Sequence, residues 1–305
     1  MNSTDEHTER FTCLRPLLFT IAYEILGSST EADDVLQDSY LRWADVDPTT
    51  VRDTKAYLAQ LVTRQALNTL RAGARRREDY VGPWLPEPLL VTESDGLTDV
   101  VLAESVSMGM LVLLETLNPD ERAVFVLHEV FDFDYSDIAA AVGKSVAAVR
   151  QMAHRARSHV HARRPRFAPV DTARTTELTE RFMTAASTGD MDAMLSILAP
   201  DATWTTDSGG KVSAAALRAS GAQQVAEILI GVFRTAHRIS NVRVELVTFN
   251  QAPAIAIFRG DRLEAVSVLE IIDGKISNFY GIRNPDKLAS LETPRTISRS
   301  DLHSH

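Results

Sequence analysis

The chain has 305 residues, 45% of them hydrophobic and 24% charged, enough length and apolar content for two or three soluble domains with cores of their own. The net charge is −9 and Cys13 is the one cysteine, so an internal disulfide and a cysteine-based zinc site are excluded and thiol catalysis is not expected. Neither a basic leader followed by an apolar run nor a membrane-length apolar stretch is visible, which predicts a cytoplasmic protein with no span.

Residues 1–80 read as a first helical unit: Val35, Leu36, Tyr40 and Trp43, then Leu58, Leu61, Val62, Ala66 and Leu70, recur at helical spacing, with Pro48 between the two sets. Residues 81–100 read as a linker that contains Trp84-Leu85-Pro86-Glu87-Pro88-Leu89, in which two prolines forbid a helix while an indole and two leucines offer apolar surface. A second helical unit spans 101–165. Inside it Asn118-Pro119-Asp120-Glu121 is a helix start, with Asn118 as cap, Pro119 in the first turn and Glu121 as the capping-box partner. After a further linker at 166–174 the pattern becomes α+β over 175–290. Helices are expected near 175–188, 190–198 and 222–235. A curved antiparallel sheet is expected last, its turns at Gly260-Asp261 and Asp273-Gly274. Residues 291–305 read as a flexible tail.

Charge is unevenly placed along the first half. Arg64, Arg71, Arg75, Arg76 and Arg77 fall in a stretch without acids, as do Lys144, Arg150, Arg155, Arg157, Arg163, Arg164 and Arg166. Between them in sign lies the segment 24–53, with eight acids (24, 31, 33, 34, 38, 45, 47, 53) against Arg42 and Arg52. Two anion-binding faces and one face for a basic partner follow from this, the alternative being solvated helix faces. Residues 135–160 read as a helix-turn-helix. Ile138, Ala139 and Val142 face inward on the first helix, Gly143 makes the turn, and Ser145 caps a second helix that buries Val146, Val149 and Met152. Arg150, Gln151, His154, Arg155 and Arg157 are left on its outer face, where they suit a major groove and its phosphates.

The runs LRPLLFTIAYEILGSSTEADDVLQDSYLRW and DTKAYLAQLVTRQALNTLRAGARRR resemble the first conserved domain of bacterial extracytoplasmic-function (ECF) sigma factors, and LNPDERAVFVLHEVFDFDYSDIAAAVGKSVAAVRQMAHRAR resembles their second. The resemblance implies two all-α sigma domains, a core RNA polymerase and promoter DNA as partners, and no catalytic residues, cofactor or metal. By it, Asp33, Asp34, Gln37, Asp38 and Arg42 dock on the polymerase clamp. Lys55, Tyr57, Arg64, Gln65, Asn68 and Arg71 attend the minus-ten element, and Ser145, Arg150, Gln151, His154, Arg155 and Arg157 the minus-thirty-five element.

The segment TGDMDAMLSILAPDATW and the strands after it resemble SnoaL-like cone domains. WLPEPL, DSGGKV at 207–212 and NPDKL at 284–288 together resemble the sigma subgroup called group 41, which carries such an extension. That subgroup usually has three glycines after the aspartate; here Ser208 replaces the first, while Gly209 and Gly210 remain. The implied role is regulation in cis, through contact of Trp84, Pro86 and Pro88 with Asp207, Gly209, Gly210 and Lys211 or with Asn284, Pro285, Asp286 and Lys287. A small-molecule ligand in the cone and a monomeric chain belong to the same reading. The alternatives are a one-component, ligand-responsive DNA-binding regulator that needs no polymerase, and an enzyme using Asp207, His237, Tyr280 or Trp204.

Overall fold

The structure, a computed structural model, describes residues 3–92, 99–163, 172–214 and 217–300. The side chains of Arg75, Arg76, Arg164 and Arg166 lie outside the described residues, as does the linker over 166–171. Helices α1 (Ser3–Leu26), α2 (Ser29–Ala44) and α3 (Thr54–Glu78) form the first unit, with a tight 3-10 turn at Pro48–Thr50 where proline breaks the pattern. Leu17, Leu18, Ile21 and Ile25 of α1, Leu36 and Trp43 of α2, and Leu58, Val62 and Ala66 of α3 are each at most 2% exposed, so the helical spacing becomes one apolar seam.

The second unit holds α4 (Val100–Ser105), α5 (Met108–Leu114), α6 (Pro119–Phe125), a π-helical turn (Val126–Val130), α7 (Tyr135–Val142) and α8 (Val146–Arg163). Asn118 caps α6 by accepting from the Glu121 amide at 2.9 Å, as the start signal requires. The Glu121 carboxylate, expected back on the cap, accepts instead from Arg155 at 2.7 Å, because a charged donor outcompetes a backbone amide for it. The two units are in contact through α3 against α6 and α7. At their junction Arg122, 1% exposed, donates to the Glu24 carbonyl at 2.8 Å and pairs with Glu115, which also receives Arg77 at 2.6 Å.

The C-terminal unit runs α9 (Thr172–Thr188), α10 (Met191–Ile197), β1 (Leu198–Asp207), β2 (Arg218–Ser220), α11 (Ala222–Arg238), β3 (Val242–Phe249), β4 (Ala252–Arg259), β5 (Arg262–Ile272), β6 (Lys275–Ile282) and α12 (Pro285–Leu288). Its six-stranded sheet has the order β2-β1-β6-β5-β4-β3. β3 to β6 are the expected antiparallel meander, but β1 precedes α11 and pairs parallel to β6, so the sheet is mixed. Threonines between Ala202, Trp204 and Thr206 conceal that strand in the sequence, although those three alternate into the interior. One face of the sheet closes on α9, α10 and α11 around Phe182, Leu229, Phe233 and Phe279. The other face contributes Ala254, Ala256, Val266, Val268 and Ile282 to the same apolar cluster as the helical units.

The expected flexible tail is a second point of difference. Over its described part, residues 291–300, Leu291 is 1% and Ile297 2% exposed, and Arg299 pairs with Asp99 at 2.8 Å and Asp132 at 3.0 Å. Two buried apolar side chains and the ion pairs of Arg295 and Arg299 offset the entropy of ordering a short segment, which its polar composition does not advertise. Among the described residues no helix is long and apolar enough to cross a membrane.

Glu24 lies at 0% exposure between the helical units, accepting from Ser105 at 2.7 Å. Burial pushes its carboxyl up to about 8, only partly countered by the Ser105 hydroxyl and the Arg122 guanidinium. The unfolded carboxyl releases its proton near 4.5, so the folded form holds more protons between about 4.5 and 8 and loses stability as the pH rises across that window. Thermal unfolding of the wild type and Glu24→Gln is expected to coincide near the low end of the window. Toward its upper end the variant should melt at the higher temperature.

Candidate nucleic-acid interface and interdomain latch

The helix-turn-helix is formed as its residues prescribe. Gly143 adopts φ 69°, and its amide donates to the Ala139 carbonyl at 3.0 Å, closing α7 in the left-handed turn that glycine tolerates. Ser145 accepts from the Ala148 amide at 3.2 Å and so starts α8. Val149 and Met152 are buried, whereas Val146, expected inward, is 37% exposed because it sits in the first turn, ahead of the contact with α7. Arg150, Gln151, His154 and Arg155 are exposed. Arg155 pairs with Glu121, Arg157 donates from Nε to Glu129 at 3.0 and 3.1 Å, and Arg150 lies 5.6 Å from the Tyr135 ring centre. Each of the three arginines thus has a partner within the second helical unit.

The α3 basic face points at this module. Arg64 donates to the Ala140 carbonyl at 2.7 Å, and Arg71 shares Asp120 with Lys144, which sits 3.2 Å away. Burial pulls the Asp120 carboxyl up, but the hydrogen bonds from Arg71 and Lys144, together with their charges, outweigh it and hold the group below its usual range. Arg64, Asn68 and Arg71 line a cleft of about 290 Å³ against Ala141, Val142 and Gly143. Tyr57, at 5.8 Å from the Trp43 ring, lines a second cleft of about 490 Å³ with Arg52, Gln60 and Asp137. Lys55 is half-buried in the first turn of α3.

On α2, Asp34, Gln37, Asp38 and Arg42 are exposed, with Leu41 among them at 60%. With its amide oxygen turned toward Arg42, Gln65 accepts from it at 2.5 Å, which joins one residue assigned to polymerase with one assigned to the minus-ten element. Asp33 is drawn away from the rest, held by Arg15 at 3.1 Å and Arg295 at 2.7 Å.

The segment 84–89 is an extended strap lying between the helical units and the sheet. Its amides at Leu85, Glu87 and Leu89 donate to Asp207 at 2.9 Å, to the Gly27 carbonyl at 2.9 Å and to Asn250 at 2.7 Å. Pro86 and Pro88 stand where no donor is needed, so this buried strap leaves no amide orphaned from Leu85 to Leu89. Glu87, 6% exposed, caps α2 by accepting from the Ser29 amide at 2.9 Å and the Ser28 hydroxyl at 2.9 Å.

All three motif segments meet at Asp207. Its carboxylate, 0% exposed, accepts from Leu85, from the Tyr80 hydroxyl and from Lys287 Nζ at 2.7 Å, and Lys287 also donates to the Leu85 carbonyl. Trp84 is flanked by the charged groups of Arg77 and Lys287, each 4.1 Å from its ring centre. Burial lowers the Lys287 ammonium's pKa while the Asp207 charge opposes that; the Tyr80 hydroxyl is raised by burial and by the same anion. Asn284 caps α12 by accepting from the Asp286 amide at 3.1 Å, Pro285 follows in the first turn, and Asp286 holds Lys211 at the rim. Gly209 and Gly210 have φ 58° and 69°, and a Cβ there would lie 2.7 Å from Asn284 and 2.8 Å from Val81. Ser208 is absent from the positive-φ residues, which is why a side chain is accepted at that one glycine position. Tyr23, Tyr80, Glu87 and Asn250 complete the latch without having been singled out in the sequence. The signal for Glu87 was an acid between two prolines in an apolar run, which cannot be buried unpartnered.

Replacing Asp207 by Asn should leave Lys287 buried without its counter-charge and cost about 3 kcal/mol of latch stability. Amide exchange at Leu85 and Leu89 is the readout, with a rise of about a hundredfold expected. Gly209→Ala should do the same more weakly, by about 1–3 kcal/mol, through strain at positive φ and collision with Asn284.

Residues 10–76 match the family described as Sigma-70 region 2, residues 108–160 match Sigma-70, region 4, and residues 179–279 match a SnoaL-like domain. The chain is 35% identical over 287 residues to the ECF RNA polymerase sigma factor SigJ of Mycobacterium tuberculosis, with 91% of each chain covered. It is 29% identical over 293 residues to the probable ECF RNA polymerase sigma factor SigI of the same species, covering 95% of this chain and 98% of that one. A crystal structure of the Mycobacterium tuberculosis SigJ superposes with a TM-score of 0.72 at 32% identity, over 93% of this chain and 99% of that one. With its helix-turn-helix, its paired helical units and a SnoaL-like domain latched onto the linker between them, the chain belongs to the ECF RNA polymerase sigma factors.

Proposed function

We propose that this sigma factor binds core RNA polymerase through the exposed acidic face of α2 and directs initiation at promoters read by α3 and α8, while the SnoaL-like unit holds it in a closed form. The observation that carries this is the engagement of Arg64 and Arg71 with Ala140 and Asp120. Two promoter elements about 25 base pairs apart lie roughly 85 Å apart along B-form DNA at ~3.4 Å per step, whereas α3 and α7 touch. One duplex therefore cannot be read at both elements until the helical units separate, and the strap at 84–89 is the segment between them. Asp207, Lys287 and Asn250 hold that strap, so the C-terminal unit biases the equilibrium by binding the closed form better than the open one. In this reading Lys55, Tyr57, Gln65 and Asn68 serve the melted minus-ten strand, and Ser145, Gln151 and His154 the minus-thirty-five bases. Arg155 and Arg157 exchange their intramolecular acids for phosphates, and Arg150 leaves the Tyr135 ring for one.

A regulator that binds duplex without polymerase would leave Asp34, Gln37, Asp38 and the exposed Leu41 without use. An enzymatic role is not supported by Asp207, because it is consumed by the latch, and Trp204 packs 5.9 Å from Phe279 in the domain core.

Run-off transcription with core polymerase tests the proposal: promoter-dependent transcripts are expected, and no transcript together with no binding to core would overturn it. Cutting the chain at residue 169 should change the yield by releasing the strap. If about 6 phosphates are neutralised, promoter affinity should fall roughly a thousandfold between 50 and 200 mM salt.

A further inference from the structure

Residues 294–299 form a second extended segment laid on the helical units. They cross α1 in extended form, and their backbone pairs with the far end of the linker: the Arg295 amide donates to the Leu90 carbonyl at 2.8 Å, the Thr92 amide donates to the Arg295 carbonyl at 3.1 Å, and Val91 and Arg295 form a parallel bridge. The Ser298 amide donates to Thr20 on α1 at 3.1 Å. Side chains at every second position turn into the surface, as an extended segment requires. Arg295 reaches Asp33 at 2.7 Å, Ile297 enters the helical core at 2% exposure, and Arg299 meets Asp99 at 2.8 Å, Asp132 at 3.0 Å and the Val130 carbonyl at 3.1 Å.

We infer that this seat is a peptide-binding groove for an extended basic segment of the pattern Arg-x-Ile-x-Arg, filled in cis by the chain's own residues 294–299. An acid stands at each end, an apolar socket lies between them, and a strip of linker backbone supplies main-chain pairing, which is the strand-addition mode of peptide recognition. The occupant is exchangeable, because the backbone pairing is short and Asp132 is 78% exposed, so its pair with Arg299 contributes little. The groove spans α1, α2, the linker and the π-turn of the second helical unit, so the bound segment ties the two helical units together. Its Arg295 also occupies Asp33, at the edge of the α2 face. Here the inference rests on the proposed docking role of α2: polymerase and the tail compete for that acid, and a partner carrying the same basic pattern displaces the tail.

The test uses the full chain carrying Arg295→Glu and Arg299→Glu, with Arg295→Lys and Arg299→Lys as the charge-preserving control and circular dichroism to confirm folding. In the reversed variant, amide exchange at Thr92 should rise about tenfold and core polymerase should bind about fivefold more tightly, while the lysine variant stays near wild type. A labelled synthetic peptide, TPRTISRS, should bind the reversed variant and restore protection at Thr92, and it should bind the wild type poorly because the groove is full. Unchanged exchange at Thr92, or failure of the peptide to bind the reversed variant, would overturn the groove. Peptide binding with unaltered polymerase affinity upholds the groove and removes only the docking role of Asp33, so the two failures are separable.

Discussion

The arrangement of the molecule depends on a carboxylate and an ammonium buried beside one stretch of linker backbone. Asp207 and Lys287 are 0% and 6% exposed, and together they bind both the amide and the carbonyl of Leu85. Two charges removed from water are tolerable only when each is paired and hydrogen-bonded, and every element that completes the pair is drawn into one place. Such a pair is a poor source of net stability and a good source of geometric definition: Leu85 fits in one register, and a slipped strap would strand both charges.

From that point the strap organises the rest. Glu87, two residues on, places a negative charge on the positive end of α2, and Leu89, two further, is held between Asn250 and the core shared by helices and sheet. Prolines at the intervening positions carry no amide donor, so none has to be satisfied there. The same alternation appears at Arg295, Ile297 and Arg299, where the tail uses side chains of one parity to bind and leaves the others outside. Both segments are extended peptides lying on folded units, and both join parts that separate in the proposed function.

Much of the helical architecture was legible beforehand, because helical spacing, the Asn118 cap and the Gly143 turn are local signals whose energetics do not depend on distant partners. The residues of the three motif segments were legible through resemblance, and the structure brings Trp84, Asp207, Asn284 and Lys287 together. The parallel pairing of β1 with β6 was hidden, since threonine-rich alternation is weak and parallel partners lie far apart in sequence. The ordered tail was hidden for a related reason: Arg295 and Arg299 look like solvated charges until Asp33, Asp99 and Asp132 are placed opposite them.

The sequence by itself determined the helical units and the turn between α7 and α8, because these are encoded by short-range periodicity, caps and turn residues, while resemblance of whole segments gave the sigma character of those units and the SnoaL-like unit. Tertiary structure alone decided that Arg64 and Arg71 lie against the second helical unit, that Glu24 is buried between the units and that Glu87 caps α2. Those outcomes depend on contacts between residues 49 to 98 positions apart, and such contacts are set by the packing of whole surfaces, which no local pattern records.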